Sequence, residues 1–321
     1  MTEITVGKND AGQRLDRFLR KTFSDLPVPL IQKAIRKKQI KLNGKKAAAD
    51  VRLAEGDIVT VYLSDAMPKS KTDKQSFSDI ADAGLCIIYE DRNIILLDKP
   101  PGLLCHSNDQ DESNTLIAHV RTYLYQKGEY DPDMENAFAP ALCNRIDRDT
   151  GGIVIAAKNA ASLRIINEKI RKREIDKFYL CIISGLLEPP KGKLECYILR
   201  NMKTMRVEVL ERPFPGAKHA VTEYRTLAFD GRYSLVECRL ITGRTHQIRA
   251  QMHHAGHPIV GDPKYTDSAK NDLGFKHQAL YSYKIKFDFR SDAGELNYLN
   301  RKTFKVDVPF SLPGPVNRIK D

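Results

Sequence analysis

The sequence predicts an α+β protein: a main part built on a mixed, largely antiparallel sheet, with a small α/β module ahead of it. Two observations carry this. Apolar runs at 86–89, 94–97, 153–157, 178–183 and 235–241 outnumber the helical patterns, and short turns join many of them, which favours strands that fold back on one another. A polar, aperiodic stretch, "DAMPKSKTDKQSFSDIADA", reads as a linker over 65–83, between residues 1–64 and residues 84–321.

In the first unit, Leu15, Phe18 and Leu19 fall on one face of a helix, and Ile31, Ala34 and Ile35 on one face of a second, which Pro27 and Pro29 help to start. "QIKLNGKK" places Asn43-Gly44, a tight hairpin signal, after a short strand, and "GDIVTVYL" supplies a closing strand after a Gly56-Asp57 turn. Arg14, Arg17, Arg20, Lys33, Arg36, Lys37, Lys38 and Lys41 cluster on the two helices and the turn behind them. Such a cluster suits a phosphate backbone, although a basic helical pair alone is equally a solvated surface. The stretches "QRLDRFLR", "IQKAIRKKQIKLNG" and "VRLAEGDIV" resemble, in this order, the RNA-binding module first described in a small ribosomal-subunit protein, the S-four module. That resemblance implies an RNA-binding domain over 1–64, with Lys38 standing where a glycine often precedes the strand.

Two helical patterns interrupt the strands of the second unit. "ASLRIINEKIRKR" carries Leu163, Ile166 and Ile170 at helical spacing and ends in a basic turn; "THQIRAQMHHAG" stops at Gly256. With 52 basic and 41 acidic residues, the chain has a net charge of +11, which suggests a polyanionic partner or simply a basic enzyme. No run of about 18 apolar residues is present to span a bilayer, and "MTEITVGKND" lacks the pattern of a signal peptide, so a cytoplasmic protein is expected. Cys86, Cys105, Cys143, Cys181, Cys196 and Cys238 stand singly, most among apolar neighbours, and predict reduced core thiols without disulfides or zinc.

The segment "CNRIDRDTGG" at 143–152 sets Asp147 beside Arg145, just ahead of the apolar run "IVIAAK". A carboxylate there is costly to bury without a cation, so it marks either an ion pair or a catalytic site, and the pattern alone does not choose. Thr150-Gly151-Gly152 can turn the chain tightly at the mouth of a buried strand. Lys99-Pro100-Pro101-Gly102 reads as a structural turn. His246, His253, His254 and His257 lack metal-ligand spacing, and the glycine doublet lacks the companions of a nucleotide loop.

"NRIDRDTGGIVIAAKN" resembles the signature of the RluA family of pseudouridine synthases. "YEDRNIILLDKPPGLLCH", "KFYLCIISG" and "TGRTHQIRAQMHHAGHPIVGDPKY" resemble further family segments in the same order. Asn144 and Gly151 depart from it, standing where the family usually has His and Ser. The resemblance implies the pseudouridine synthase fold and isomerisation of a uridine within RNA: the bond from uracil nitrogen 1 to ribose is cut, the base rotates, and carbon 5 joins the same ribose. No cofactor is needed. Asp147 would be the catalytic residue, Arg249 would pair with it, Tyr179 would stack on the uracil, and His246 would hydrogen-bond near Arg249. Arg145 would fill the space left by the flipped nucleotide or grip its phosphate. The N-terminal module and the basic helix look most like the RluC-type branch, which makes large-subunit ribosomal RNA the expected partner of a monomer.

Two other functions compete. One is a non-catalytic RNA-binding or ribosome-assembly factor, with Asn144 and Gly151 marking lost activity. The other is a glycoside hydrolase using Asp147 and Asp149 as paired carboxylates, the weaker reading for a basic chain without tryptophan.

Overall fold

The computed structural model describes residues 1–24, 26–62, 84–107, 114–201, 206–266, 273–314 and 317–319; the linker expected at 65–83 lies outside them. The chain opens with β1 (Thr2–Thr5), α1 (Leu15–Thr22), α2 (Val28–Arg36), β2 (Ile40–Leu42), β3 (Lys45–Lys46) and β4 (Ile58–Val61). The strands make an antiparallel sheet in the order β1-β4-β2-β3. Leu15, Phe18 and Leu19 of α1 meet Ile31 and Ala34 of α2 over Val59 and Val61. Each of the larger side chains here contributes about 1.5–3 kcal/mol relative to leaving it in water. Pro27 caps α2 and Pro29 lies in its first turn, where a missing N–H costs nothing. Asn43 and Gly44 both take positive φ (49° and 73°), as a two-residue hairpin turn requires. Lys38 is left-handed as well (φ 62°), which explains why glycine suits that position.

The second sheet contains β5 (Ile87–Glu90), β6 (Ile94–Lys99), β7 (Ala141–Leu142), β8 (Gly151–Ala157), β9 (Ile175–Ser184), β10 (Lys191–Asn201), β11 (Arg206–Leu210), β12 (Lys218–Phe229), β13 (Tyr233–Leu240), β14 (Leu280–Phe287), β15 (Thr303–Lys305) and β16 (Asn317–Arg318). Its main path runs β11-β10-β12-β13-β9-β14-β8-β6-β5. The pairing of β14 with β8 is parallel, at Tyr281 with Gly151 and Ser282 with Gly152. The other pairs are antiparallel, so the sheet is mixed and largely antiparallel as predicted. Late in sequence but central in space, β14 joins one half of the sheet (β5, β6, β8) to the other (β9 to β13).

Helices α3 (Leu116–Gln126), α4 (Ala160–Arg171) and α5 (Gln247–His254) accompany this sheet. α5 ends as its sequence predicts: Gly256 has φ 84°, its N–H reaches the His253 carbonyl, and the His257 N–H reaches that of Met252. The two units touch through side chains. Asn9 donates to Glu135 (2.6 Å), Asn136 donates to the Thr5 carbonyl (2.8 Å) and to Asp10 (3.0 Å), and Arg164 donates to the Ala11 carbonyl (3.0 Å).

Two expectations are corrected here. Cys86 is exposed rather than a core thiol. On α4, Leu163 and Ile170 are only partly buried, while Ser162 and Lys169 join Ile166 inside. A lysine can occupy that place because Glu174 accepts from its ammonium at 2.8 Å, the Ser291 carbonyl and hydroxyl complete its bonds, and the Phe289 ring lies 5.0 Å away.

Burial pushes the Glu174 carboxyl up, but Lys169 and the N–H of Arg290 outweigh it and bring the pKa down to about 2, from 4.5 when free. A carboxyl lowered by folding stabilises the fold above its unfolded pKa, and that stability disappears as pH falls through the folded value. Resistance to urea is therefore expected to drop between pH 4.5 and about 2. Glu174→Gln should be less stable at pH 7 and show a flatter pH dependence in that window; an unchanged slope would remove the assignment.

Candidate active site

β7 pairs with the end of β8, and residues 143–150 loop out between them, with Asp147 on the loop. Lys99 anchors that loop. Its fully buried ammonium donates to the carbonyls of Pro100 (2.7 Å), Leu103 (2.8 Å) and Arg148 (2.8 Å), and Gly102 and Arg148 exchange two further bonds. Burial lowers the Lys99 pKa to about 8. The Lys-Pro-Pro-Gly turn is thus structural and lies against the Asp147 loop.

The departures from the family signature have local reasons. Asn144 accepts the Ile155 N–H at 2.8 Å and so ties the loop to β8. At Gly151 a Cβ would stand 2.2 Å from the Tyr281 ring, whose hydroxyl donates to Asp98 at 2.8 Å. Space for a serine is taken by that tyrosine. Gly152 has φ 112°, and a Cβ there would lie 2.3 Å from the Ser282 carbonyl oxygen. Gly151→Ser is expected to cost about 1–3 kcal/mol of stability by overpacking. Thermal unfolding checks this, and adding Tyr281→Leu should make the serine better tolerated; equal penalties in both backgrounds would refute the steric account.

Arg249 reaches Asp147 from the other half of the sheet. Gln247 pins the start of α5, accepting from Thr242 (2.8 Å) and the Arg244 N–H (3.0 Å) and donating to the Val221 carbonyl (2.9 Å) and Thr222 (2.9 Å). Gln251, one turn on, accepts from Thr222 at 2.6 Å. With the helix held this way, Arg249 donates to Asp147 at 2.9 Å and grips Asp262 with two bonds of 2.6 and 2.8 Å. Its guanidinium also lies 5.3 Å from the centre of the Tyr265 ring. Burial works against the charge on Arg249, but Asp262 and Asp147 outweigh it and raise its pKa.

His246 precedes α5 in a left-handed conformation (φ 52°). The Tyr265 hydroxyl accepts the Val207 N–H at 2.9 Å and lies 3.0 Å from Nδ1 of His246. Nε2 of the same ring lies 3.9 Å from Asp147. Burial lowers the His246 pKa to about 4, so the ring is neutral at pH 7.

Asp147, His246 and Arg249 open onto a cavity of about 390 Å³, lined also by Asn144, Arg145, Thr150 and Tyr179. Tyr179, on β9, is 6% exposed, and burial raises its pKa, so it keeps its proton. Arg145 is exposed and makes no ion pair among the described residues. Asp149 does not line the cavity; it lies 3.4 Å from His277. The paired-carboxylate arrangement considered for glycoside hydrolysis is therefore not formed in this cavity. Arg14 is paired with Asp16 at 2.9 Å, whereas Arg17, Lys33, Arg36, Lys37 and Lys38 are exposed on α1, α2 and the turn after it. Among the described residues, no group of three or more metal-ligating side chains comes together.

Sequence reasoning assigned no role to Asp262 or Tyr265, although both fall in the quoted "VGDPKY". Gly261 (φ 73°), where a Cβ would sit 2.5 Å from the His277 carbonyl oxygen, was the available signal for a tight turn.

The architecture is that of a pseudouridine synthase. It is similar to human RNA Pseudouridylate Synthase Domain Containing 4, with a TM-score of 0.54 and 22% identity, over 70% of this chain and 88% of that one. A family model described as RNA pseudouridylate synthase matches residues 93–254. An uncharacterized RNA pseudouridine synthase of Mycoplasma capricolum is 33% identical over 94% of this chain and 96% of its own length. Ribosomal large subunit pseudouridine synthase C of Vibrio parahaemolyticus is 30% identical over 90% of this chain and 89% of its own. The chain belongs to the RNA pseudouridylate synthase family, isomerases that convert uridine in RNA to pseudouridine.

Proposed function

We propose that the protein isomerises specific uridines of large-subunit ribosomal RNA, with Asp147 as the catalytic carboxylate. The observation that carries this reading is the Arg249–Asp147 contact of 2.9 Å, which fixes a carboxylate on the wall of a cavity that Tyr179 also lines. The carboxylate acts on the flipped nucleotide as nucleophile or base, Arg249 orients it, and Tyr179 stacks on the uracil. Arg145, exposed at the mouth, takes the place of the extruded nucleotide or holds its phosphate. The reaction redistributes bonds within one nucleotide, so it consumes no redox partner and calls for no cofactor.

Ribosomal RNA is proposed from the names of the Vibrio relatives. In this reading residues 1–64 are an RNA-binding domain that uses Arg14, Arg17, Lys33, Arg36, Lys37 and Lys38, residues 65–83 connect it, and residues 84–321 are the catalytic domain. The enzyme works as a monomer in the cytoplasm, where ribosomes are made; among the described residues, no helix is long and apolar enough to cross a membrane.

Pseudouridine mapping on unmodified large-subunit ribosomal RNA tests the reading, by carbodiimide labelling and primer extension after incubation with the protein. New stops are expected. Their absence with a folded, RNA-binding protein would reject ribosomal RNA as the substrate.

A further inference from the structure

Beside the catalytic cavity lies a second one of about 570 Å³, and the two share Ile170, Lys177, Leu240, Gly243 and Arg244 in their walls. Its lining is strongly basic, and its single carboxylate, Asp176, is already committed to Arg239 at 2.9 Å. Arg239 is further occupied by Glu223 at 3.1 Å. Arg171, Arg173 and Arg290, by contrast, make no ion pair with a described residue, and Arg244 spends only its Nε, on the His219 carbonyl at 3.0 Å.

Lys177 stands at the seam. Other lysines of this unit that are drawn inward are satisfied: Lys99 by three carbonyls, Lys158 by Glu90 and the Asp91 carbonyl, and Lys169 by Glu174 and Ser291. The Lys177 side chain has no hydrogen bond or ion pair among the described residues, and its Nζ lies 3.7 Å from where a Cβ would stand on Gly243. An ammonium in that position, lining both cavities, has its donors free for a ligand that supplies acceptors. Burial lowers its pKa, and a bound anion would reverse that.

We propose that this groove binds the phosphodiester chain next to the target nucleotide, with Lys177 holding the phosphate at the seam and Arg171, Arg173, Arg244 and Arg290 following the strand outward. It rests on the reading of the Asp147 cavity as the uridine pocket. A nucleotide in that pocket brings a phosphate on each side, and the groove is a continuous, uncompensated run of positive charge leading from it. A neutral or cationic ligand would find almost no acceptors there.

The test uses the full chain and an unmodified large-subunit ribosomal RNA transcript. Lys177→Met keeps the aliphatic stem and removes only an unpaired charge, so it should fold; Arg171→Ser/Arg290→Ser tests the outer groove, and Lys305→Ser, which lines neither cavity, controls for net charge. Lys177→Met is expected to raise KM about tenfold with a smaller change in kcat, and the double variant to weaken RNA binding about fivefold. For every phosphate that a variant no longer neutralises, the slope of log affinity against log salt should become shallower by roughly 0.7. Wild-type affinity and slope in both variants, or the same losses in Lys305→Ser, would overturn the proposal. If the wild type forms no pseudouridine while the groove variants alone lose RNA binding, the isomerase reading fails and the groove stands.

Discussion

Asp147→Asn is expected to lower pseudouridine formation by about four orders of magnitude while RNA affinity stays within about threefold of wild type. The amide has the shape of the carboxylate and can still accept from Arg249, so the loop should keep its place and only the charge is lost. Single-turnover rates and a binding titration on the same RNA separate the two quantities. A residual rate within tenfold of wild type would remove Asp147 from the chemistry, and equal loss of rate and affinity would make it a binding residue.

The largest effect on stability is expected at Arg249. Its guanidinium lies between Asp147 and Asp262, and the Asp262 side chain is wholly buried. Arg249→Met leaves that carboxylate without its cation, a change that costs about 3–5 kcal/mol when one partner of a buried pair is removed. Urea unfolding should show it. Adding Asp262→Asn removes the stranded charge and is expected to restore much of the stability. Activity should stay low in both, because Asp147 has lost its partner. Failure of the second substitution to recover stability would mean that packing of the arginine stem, rather than charge, holds this part of the fold.

Local apolar patterns were enough to find β6, β8 and β9, because long stretches of those strands are buried on both faces and show as continuous runs. They were not enough for β10 and β12. There the burial alternates along the strand, and charged residues such as Lys193, Glu195 and Glu223 interrupt the run on the outward face. Helix α3 buries Leu116, Ile117, Val120 and Leu124, but Thr122 is also inside and Tyr123 reaches Glu90, so polar and apolar positions do not separate cleanly. Within the site, the Asp147 loop could be singled out from its own residues. The clamp of Asp262 on Arg249 could not, since those residues depend on how α5 and the turn after it close in space.

The central place of β14 has a consequence for the order of events during synthesis. Asp147 precedes β8 on one half of the sheet, while Tyr179 on β9 and Arg249 after β13 belong to the other, and among the described strands these halves meet only through β14. A ribosome that has translated through Arg249 has thus made every member of the proposed catalytic group without the strand that registers them against each other. Such late, long-range closure is slow compared with forming hairpins, and it leaves the edges of β8 and β9 open meanwhile. The enzyme therefore becomes competent in a single late step, so a nascent chain beside ribosomal RNA carries no working active site until that strand has been inserted.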